Sequence, residues 1–585
     1  MKRPWRWVIG AVAAVVVLCG AYAGWLVWQV NKHLSAAADA AHALTLAVDV
    51  GNTTAVSRRL DEFAEEADLA RRRTDSPMWG LFTHLPVLGD DAHGIRVVSR
   101  VAAGLGTGAL TDIAGRVDEL DALTPQGGGI DLSVVADLRD PVRAASRELS
   151  EAKAELDTED PSHFVDALKL KYRDLQRQIT SAADGLAAAS RAVDVMPTML
   201  GGSRPQNYLL VVQNNAEIRA TGGLPGAVSV IRADHGRLSM VRQVAGGDLG
   251  VASSPVLPLT NAEVNAYGDL VGTFFTDANL QPDWGRASAL MAARWKQVYD
   301  ERIDGVLSLD PVALSYILKV TGPVTVDGTQ LSAENVVRRL LHDVYVDLPD
   351  PADQDAYFRK VAAAIFARFT GEGASARTLL PALRHGVDER RVLVHSFDTG
   401  VQRELAGQAI SGDVLGLGET DAAAPRQPQI GVYLNEGSSS KMSFYLRTKL
   451  RVTATSCAGG VQTYAAHRTV RNTATAAEVK RLPAYVKGTG EDNAPGVTAP
   501  VVQIYGPIDG AVTGLRVADA PDAFAADITD ERRPIKQLWL SLKPGETQDV
   551  TWTMTSGPGQ TGAAALAATP GVAAGSDAAV IRSAC

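Results

Sequence analysis

Only three cysteines occur in 585 residues, and no CxxC pair is among them. Also missing are GxxxxGKS or GxxxxGKT, HExxH and GxSxG, so a phosphate-binding loop, a helical zinc-protease site and a nucleophile elbow are excluded as signatures. The ten histidines show no ligand-like pairing, which argues against zinc. Net charge is −9 and no basic stripe is interleaved with aromatics, so the chain lacks the field that draws in nucleic acid. Aromatic residues are only 6 %, while Ala and Val dominate, which favours helices packed through small side chains. No internal repeat stands out. With 46 % hydrophobic and 21 % charged residues the composition is that of a globular protein rather than a disordered one. The length predicts about three or four domains.

What the chain does have begins at its first residues. Lys2, Arg3 and Arg6 precede an uncharged run from Trp7 to Val30 whose one strongly polar member is Gln29. As a helix, this run would rise about 36 Å, against a hydrocarbon core of about 30 Å. Trp5 and Trp7 flank one end and Trp25 and Trp28 the other, as in an aromatic belt. The run is longer than the core of a cleaved signal peptide, and Leu18 before Cys19 is too bulky for a lipoprotein site. Residues 1–30 are therefore expected to be a signal anchor with a single membrane span, a cytoplasmic start and the bulk of the chain outside. Of the cysteines only Cys457 and Cys585 then face an oxidising compartment, where a disulfide is the expectation rather than a metal pair.

Residues 31–200 read as an all-α stalk of helical hairpins. Phe164, Leu168, Tyr172, Leu175, Ile179, Ala182, Leu186 and Val193 make one apolar stripe, and Asp160 with Pro161 has the form of a helix start. Arg58–Arg73 is a second, charged helix, and Gln126-Gly127-Gly128-Gly129 breaks the region in two. Pro197–Arg204 is the next boundary. Over 201–424 short apolar runs alternate with helical stretches, which predicts an α/β (α+β) middle domain with a mixed sheet. A linker near Asp421–Gln429 leads into 425–585. There Val550, Trp552 and Met554 alternate with threonines between Pro/Gly turns, which predicts a C-terminal β-sandwich.

The most equipped stretch joins two apolar runs, Tyr208–Val212 and Ala227–Ile231. It reads Gln213-Asn214-Asn215-Ala216-Glu217-Ile218-Arg219-Ala220-Thr221-Gly222-Gly223. Function concentrates on loops held by rigid scaffolds. Asn214, Asn215, Glu217, Arg219, Thr221, Gly222 and Gly223 are therefore the ligand-binding candidates, expected to line the main concavity of the middle domain. Arg219 has the chemistry to grip a phosphate or carboxylate with paired hydrogen bonds, or to form an ion pair with Glu217 or another acid. The plain alternative is a polar turn whose amides satisfy backbone groups. Asp343, Asp347, Asp350, Asp353 and Asp355 have the oxygen spacing of a Ca²⁺ or Mg²⁺ site, but without the glycine and terminal glutamate of an EF-hand they read as a solvated acidic loop, and no cofactor is expected. Ser438-Ser439-Ser440-Lys441 spells SxxK without partner motifs and in a turn, and is taken as coincidence.

The phrase QNNAEIRATGG, with HLPVLGDD (84–91), IDGVLSLDPVALSYILKVTGPVTV (303–326) and GVYLNEGSSSKMSFYL (431–446), resembles the family called domain of unknown function 4012. The resemblance implies a membrane-attached protein of the cell envelope, without an activity. A more distant similarity is to the LytR-CpsA-Psr family: RATGG, a strand and turn, DGVLSLDPVALSYILKVTGPV, then a helix with Arg359, Lys360 and Arg368. That family moves glycopolymers from a polyprenyl-pyrophosphate carrier to the cell wall, its arginines gripping the pyrophosphate. Here Thr221 stands where an Asp would follow the arginine by two, and the Pro-Arg-Asp segment has no match. The expectation is a non-catalytic scaffold or binding protein in envelope polysaccharide assembly or export, its partners the membrane and envelope glycans. The alternative is a transferase acting on polyprenyl-linked glycan, with Arg219, Arg359 and Arg368 converging on one groove.

Overall fold

The computed structural model describes residues 4–49, 53–86, 88–114, 123–125, 128–371, 375–414, 425–489, 494–518, 525–530 and 532–585. The chain forms two compact units, 1–124 with 130–197 and 125–129 with 198–585. Gln126 and Gly127 of the expected glycine break, and Asp421–Ala424 of the expected linker, lie outside the described residues.

The first unit is helical: α1 (Pro4–Asp49), α2 (Thr53–Thr74), α3 (Pro77–Phe82), α4 (Gly89–Thr107), α5 (Ala109–Ala114), α6 (Leu132–Leu156) and α7 (Asp166–Met199). Helix α6 starts where the Asp131 carboxylate accepts from Ser133 N at 2.8 Å. It buries Val135, Leu138, Val142, Ala145, Leu149, Ala152 and Leu156, a spacing of alternating three and four that forms one seam. Of the expected apolar stripe of α7, Tyr172, Ile179 and Val193 are buried, whereas Ala182 is exposed and its neighbour Ala183 is the buried residue of that turn. Asp160 and Pro161 do not begin that helix. They cap a single 3-10 turn, Pro161–His163, which ends at extended Phe164, and α7 starts afresh at Asp166.

The N-terminal segment departs from expectation. The α1 backbone runs unbroken from Pro4 to Asp49, so 7–30 is the first half of a longer helix. Among the described residues no helix is long and apolar enough to cross a membrane, which corrects the transmembrane element of the expected fold. The side chains of 1–17 and of Cys19 lie outside the described residues; beyond them a physical reason is visible. Leu26 and Val30 are 0 % and 2 % exposed, buried in one cluster with Trp79 and Ala92. Trp25 and Trp28, expected in an aromatic belt, carry the cations of Arg73 and Lys32 at 5.0 and 5.9 Å from their ring centres.

The second unit opens on a five-stranded sheet. Its strands are β1 (Gln206–Asn214), β2 (Leu224–Asp234), β3 (Arg237–Ala245), β4 (Gly305–Leu309) and β5 (Leu393–Ser396), in the order β3-β2-β1-β4-β5. β1 and β4 are parallel, Leu210 opposite Leu307, and the other pairs antiparallel, so the sheet is mixed. The helices that serve the site are α8 (Asn261–Tyr267), α9 (Trp284–Tyr299), α10 (Pro311–Thr321) and α11 (Pro351–Thr370). Trp284, Leu290, Met291 and Trp295 of α9 pack with Leu209, Val211, Val228 and Val230 as the core of this half.

The remaining strands form a β-sandwich. They are β6 (Gln429–Glu436), β7 (Leu446–Ala458), β8 (Val461–Asn472), β9 (Pro500–Tyr505), β10 (Ala511–Val517), β11 (Ala525–Asp530), β12 (Arg533–Trp539), β13 (Thr547–Thr555), β14 (Ala564–Ala568) and β15 (Ala579–Ile581). One sheet is β10-β13-β8-β7 and the other β11-β12-β9-β6-β14-β15. Val550, Trp552 and Met554, the residues whose alternation marked a strand, meet Val432, Leu434, Val502 and Ile504 in the core between them. Another cluster joins Leu314 and Leu318 of α10 and Tyr357 of α11 to Met442, Tyr445 and Val479, so the mixed sheet and the sandwich share apolar packing. Cys457 and Cys585 form a disulfide, Cα atoms 5.0 Å apart across 128 residues.

Candidate functional site

The loop between β1 and β2 is built almost entirely inward. Gln213, 1 % exposed, is its hub: its Oε1 accepts from Thr221 Oγ1 (2.8 Å), Gly223 N (3.1 Å) and Asn279 Nδ2 (3.1 Å), while its Nε2 donates to Ser308 Oγ (2.9 Å). Asn214 donates to the Tyr345 hydroxyl at 2.7 Å. Asn215, fully buried, donates to Asp310 at 3.0 Å and to the Gly222 carbonyl at 3.2 Å. Glu217 takes the half-buried Lys441 ammonium, which also lies 4.7 Å from the Tyr345 ring centre. Burial opposes the lysine charge, but Glu217 and the ring outweigh it and hold Lys441 above its ordinary range.

Arg219 is an ion-pair partner. Its Nη2 donates to Asp277 at 3.1 Å, with both side chains 12 % exposed, and its Nη1 to the Ile218 carbonyl at 3.3 Å. Burial raises the Asp277 pKa, and Arg219 works against that rise. Arg219 Nε and Asn215 Oδ1 are buried without a protein partner. The loop backbone is tied to the sandwich as well, Ala220 N donating to Asn435 Oδ1 at 2.8 Å and Glu436 N to the Ile218 carbonyl at 2.9 Å. Gly222 has φ +143°, and a Cβ on Gly223 would stand 2.3 Å from the Asn214 carbonyl carbon. The two glycines let the chain approach itself closely.

The other candidates are dispersed. Arg359 borders a small cavity with Gly226, Gln243 and Asp355, and its carbonyl accepts from Gln243 Nε2 at 3.1 Å. Arg368 Nε donates to the Thr321 carbonyl at 2.5 Å. The guanidinium of Arg219 is thus held by Asp277 and that of Arg368 by the Thr321 carbonyl, and neither residue lines the cavity that Arg359 borders. In the acidic stretch, Asp347 pairs with Arg339, Asp343 with Arg338 and His342, and Asp350 caps α11 by accepting from Ala352 N; Asp353 is exposed. Among the described residues no three metal-ligating side chains gather. Ser438 bonds Glu436 and Ser440, while Lys441 turns to Glu217, so SxxK has no nucleophile–base contact.

A cavity of about 410 Å³ lies elsewhere, where α8 and the start of α9 meet the sandwich. Its walls include Glu263, Tyr267, Gln281, Asp283, Arg286, Gln402, Asp413, Tyr505 and Asp530, and none of the candidates from the loop. Asp283 caps α9 through Arg286 N at 2.8 Å and also accepts from Val414 N at 2.8 Å; burial pushes its pKa up. Glu263 completes the cap of α8 with Thr260 and takes Arg286 at 2.6 and 2.9 Å. The Tyr267 and Tyr505 hydroxyls are 2.5 Å apart, and burial holds both above the usual phenol range. Asp413 accepts from Ser411 Oγ and Gly407 N, and Gln402 accepts from Ser396 N through its oxygen. Three distant stretches of sequence, 260–286, 402–414 and 505–535, supply this wall. Nothing local in the sequence marks Gln402, Asp413 and Tyr505 as parts of one wall.

Residues 203–345 match the family described as "Protein of unknown function (DUF4012)". The DUF4012 resemblance thus holds for the chain over that region. The DUF4012 region contains the β1–β2 loop, β4 and α10, together with the α8 and α9 wall of the cavity. No curated protein matches the chain. A solved structure described as the transcriptional regulator yvhJ from Bacillus subtilis matches 35 % of this chain and 77 % of its own at 10 % identity, with a TM-score of 0.20. A likeness of that size carries no argument. The similarity to LytR-CpsA-Psr proteins is not shown by these comparisons.

Proposed function

We propose that this protein is a non-catalytic, extracytoplasmic binding protein of envelope polysaccharide assembly, and that the cavity beside α8 and α9 takes a short neutral sugar. The observation that carries the reading is the cavity's charge: four carboxylates, Glu263, Asp283, Asp413 and Asp530, against Arg286 alone, which Glu263 already holds. Such a wall repels a pyrophosphate but offers carboxylate and amide acceptors to sugar hydroxyls, beside two tyrosines. The volume falls within the range of small-molecule sites, about 300–1,000 Å³. The Cys457–Cys585 disulfide supports an oxidising compartment. The transferase alternative has less support, because Arg219 is committed to Asp277 and Arg368 to the Thr321 carbonyl, and neither lines the cavity that Arg359 borders.

Calorimetric titration with a panel of neutral and uronic di- and trisaccharides tests this reading. A neutral member should bind, and Gln402→Ala with Asp413→Ala should weaken it by about 1–3 kcal/mol per lost hydrogen bond. Binding of polyprenyl-pyrophosphate in preference to every neutral sugar would return the transferase reading.

A further inference from the structure

The sheet β10-β13-β8-β7 has one face closed on the sandwich core and one open to solvent. Over the first eight residues of β7 the exposed ones are Arg447, Lys449, Arg451 and Thr453, and the buried or half-buried ones alternate with them. The register sets Arg447 opposite Arg471, Lys449 opposite Thr469 and Arg451 opposite His467. One strand further, His467 faces Thr551, which in turn faces Arg516. The exposed positions between these cations are largely threonine: Thr453, Thr513 and Thr551.

Two observations make this face unusual. Lys449, Arg451, Arg471 and Arg516 have no ion-pair partner among the described residues, and the one carboxylate of their rows, Asp549, is engaged by Thr469 at 2.6 Å and His467 at 2.8 Å. Like charges directly opposite on neighbouring strands destabilise a sheet, yet Arg447 and Arg471 stand so. This excess of cations occurs in a chain of net charge −9.

We infer that this sheet face docks a linear acidic glycan. Neighbouring strands are about 4.8 Å apart and alternate residues about 6.8 Å along a strand, so the cations present a repeat of about 5–7 Å in two directions. A polymer with an anionic group on successive units meets that repeat, and the threonine hydroxyls complete bonds to its sugar hydroxyls. The rows hold no aromatic platform on which unpaired bases would stack, and their one exposed apolar side chain, Ala465, is too small to enter a lipid surface. The disulfide on β7 supports a compartment without nucleic acid. The choice of a glycan as occupant rests on the envelope reading above, but the site is separate from the cavity.

Binding of full-length protein to polygalacturonate, dextran, duplex DNA and phosphatidylglycerol vesicles tests it. Polygalacturonate should bind at low salt and weaken steeply as salt rises. The triple variant Lys449→Glu, Arg451→Glu, Arg471→Glu should lose about tenfold or more in affinity, while the cavity variant Asp413→Ala binds the polymer as wild type does. Melting should be unchanged or raised in the triple variant because repulsion is relieved; if it fails to fold, Arg451→Gln with Arg471→Gln replaces it. Wild-type affinity in the charge variants, tighter binding of DNA or vesicles, or no binding of polygalacturonate each overturns the inference. The last result leaves the neutral-sugar reading standing, since that reading is measured on short sugars in the cavity.

Discussion

Arg219 sets the terms at the scale of single residues. It has the composition of an anion grip and the surroundings of a structural ion pair, since Asp277 lies 3.1 Å away and both are largely buried. Removing one partner of a buried pair leaves the other uncompensated, at about 3 kcal/mol or more. Arg219→Ala should therefore lower the melting temperature markedly while leaving sugar binding in the cavity intact. The loss should also depend on pH with a definite sign. Burial already raises the Asp277 pKa, and removing Arg219 removes the interactions that hold it down. An acid with a raised folded pKa takes up protons on folding, so the penalty is fully present above that pKa and shrinks as pH falls through it. Melting scans across the acidic range check this; a loss that grew on acidification would mean Asp277 is not the uncompensated group. Weakened ligand binding at unchanged stability would return Arg219 to the list of ligand contacts.

Among the elements, α9 does two jobs with one residue. Asp283 caps its first turn and, through Val414 N, holds the segment that closes one side of the cavity. Losing a carboxylate cap costs about 0.5–2 kcal/mol. Asp283→Ala should show that loss in melting together with weaker sugar binding. Asp283→Asn, which keeps an acceptor for the helix, should recover most of the stability. Equal behaviour of the two variants would show that the cap is not what holds this wall. The β1–β2 connection shows the opposite economy: Gln213 gathers Thr221 Oγ1, Gly223 N and Asn279 Nδ2 on one oxygen, so that three donors are satisfied at a single buried side chain.

For the whole molecule, the longest covalent constraint is the bridge from Cys457 to Cys585 across 128 residues. Chain entropy puts its contribution at up to about 4–5 kcal/mol. Non-reducing peptide mapping should recover the linked pair, and Cys585→Ser or reduction should lower the melting temperature. Two alkylatable thiols in native protein, or a melt unaffected by reductant, would contradict the bridge. A second long-range tie acts beside it. Arg391, fully buried, holds Asp310 and Glu389 and donates to the carbonyls of Gly571, Ala573 and Gly575, which anchors the approach to β15 on the mixed-sheet half.

Period and punctuation determined much of this from the sequence alone: the α7 stripe, the strands either side of Gln213–Gly223, the alternation at Val550–Met554, and a mixed sheet followed by a sandwich. These features are local, because side-chain periodicity and turn residues act within a few positions of one another. The disulfide pair was also legible, although the membrane span that motivated it is not found among the described helices. Pairing was decided by the tertiary structure. Nothing near Arg219 in the chain announces Asp277, nothing near Trp25 announces Arg73, and hydropathy at Leu26 and Val30 reads alike whether lipid or Trp79 covers them. The cavity and the cationic sheet face follow the same rule. Their residues are ordinary in sequence and acquire meaning when register and packing bring distant segments to one wall, because electrostatic and hydrogen-bond energies depend on distance in space, not along the chain.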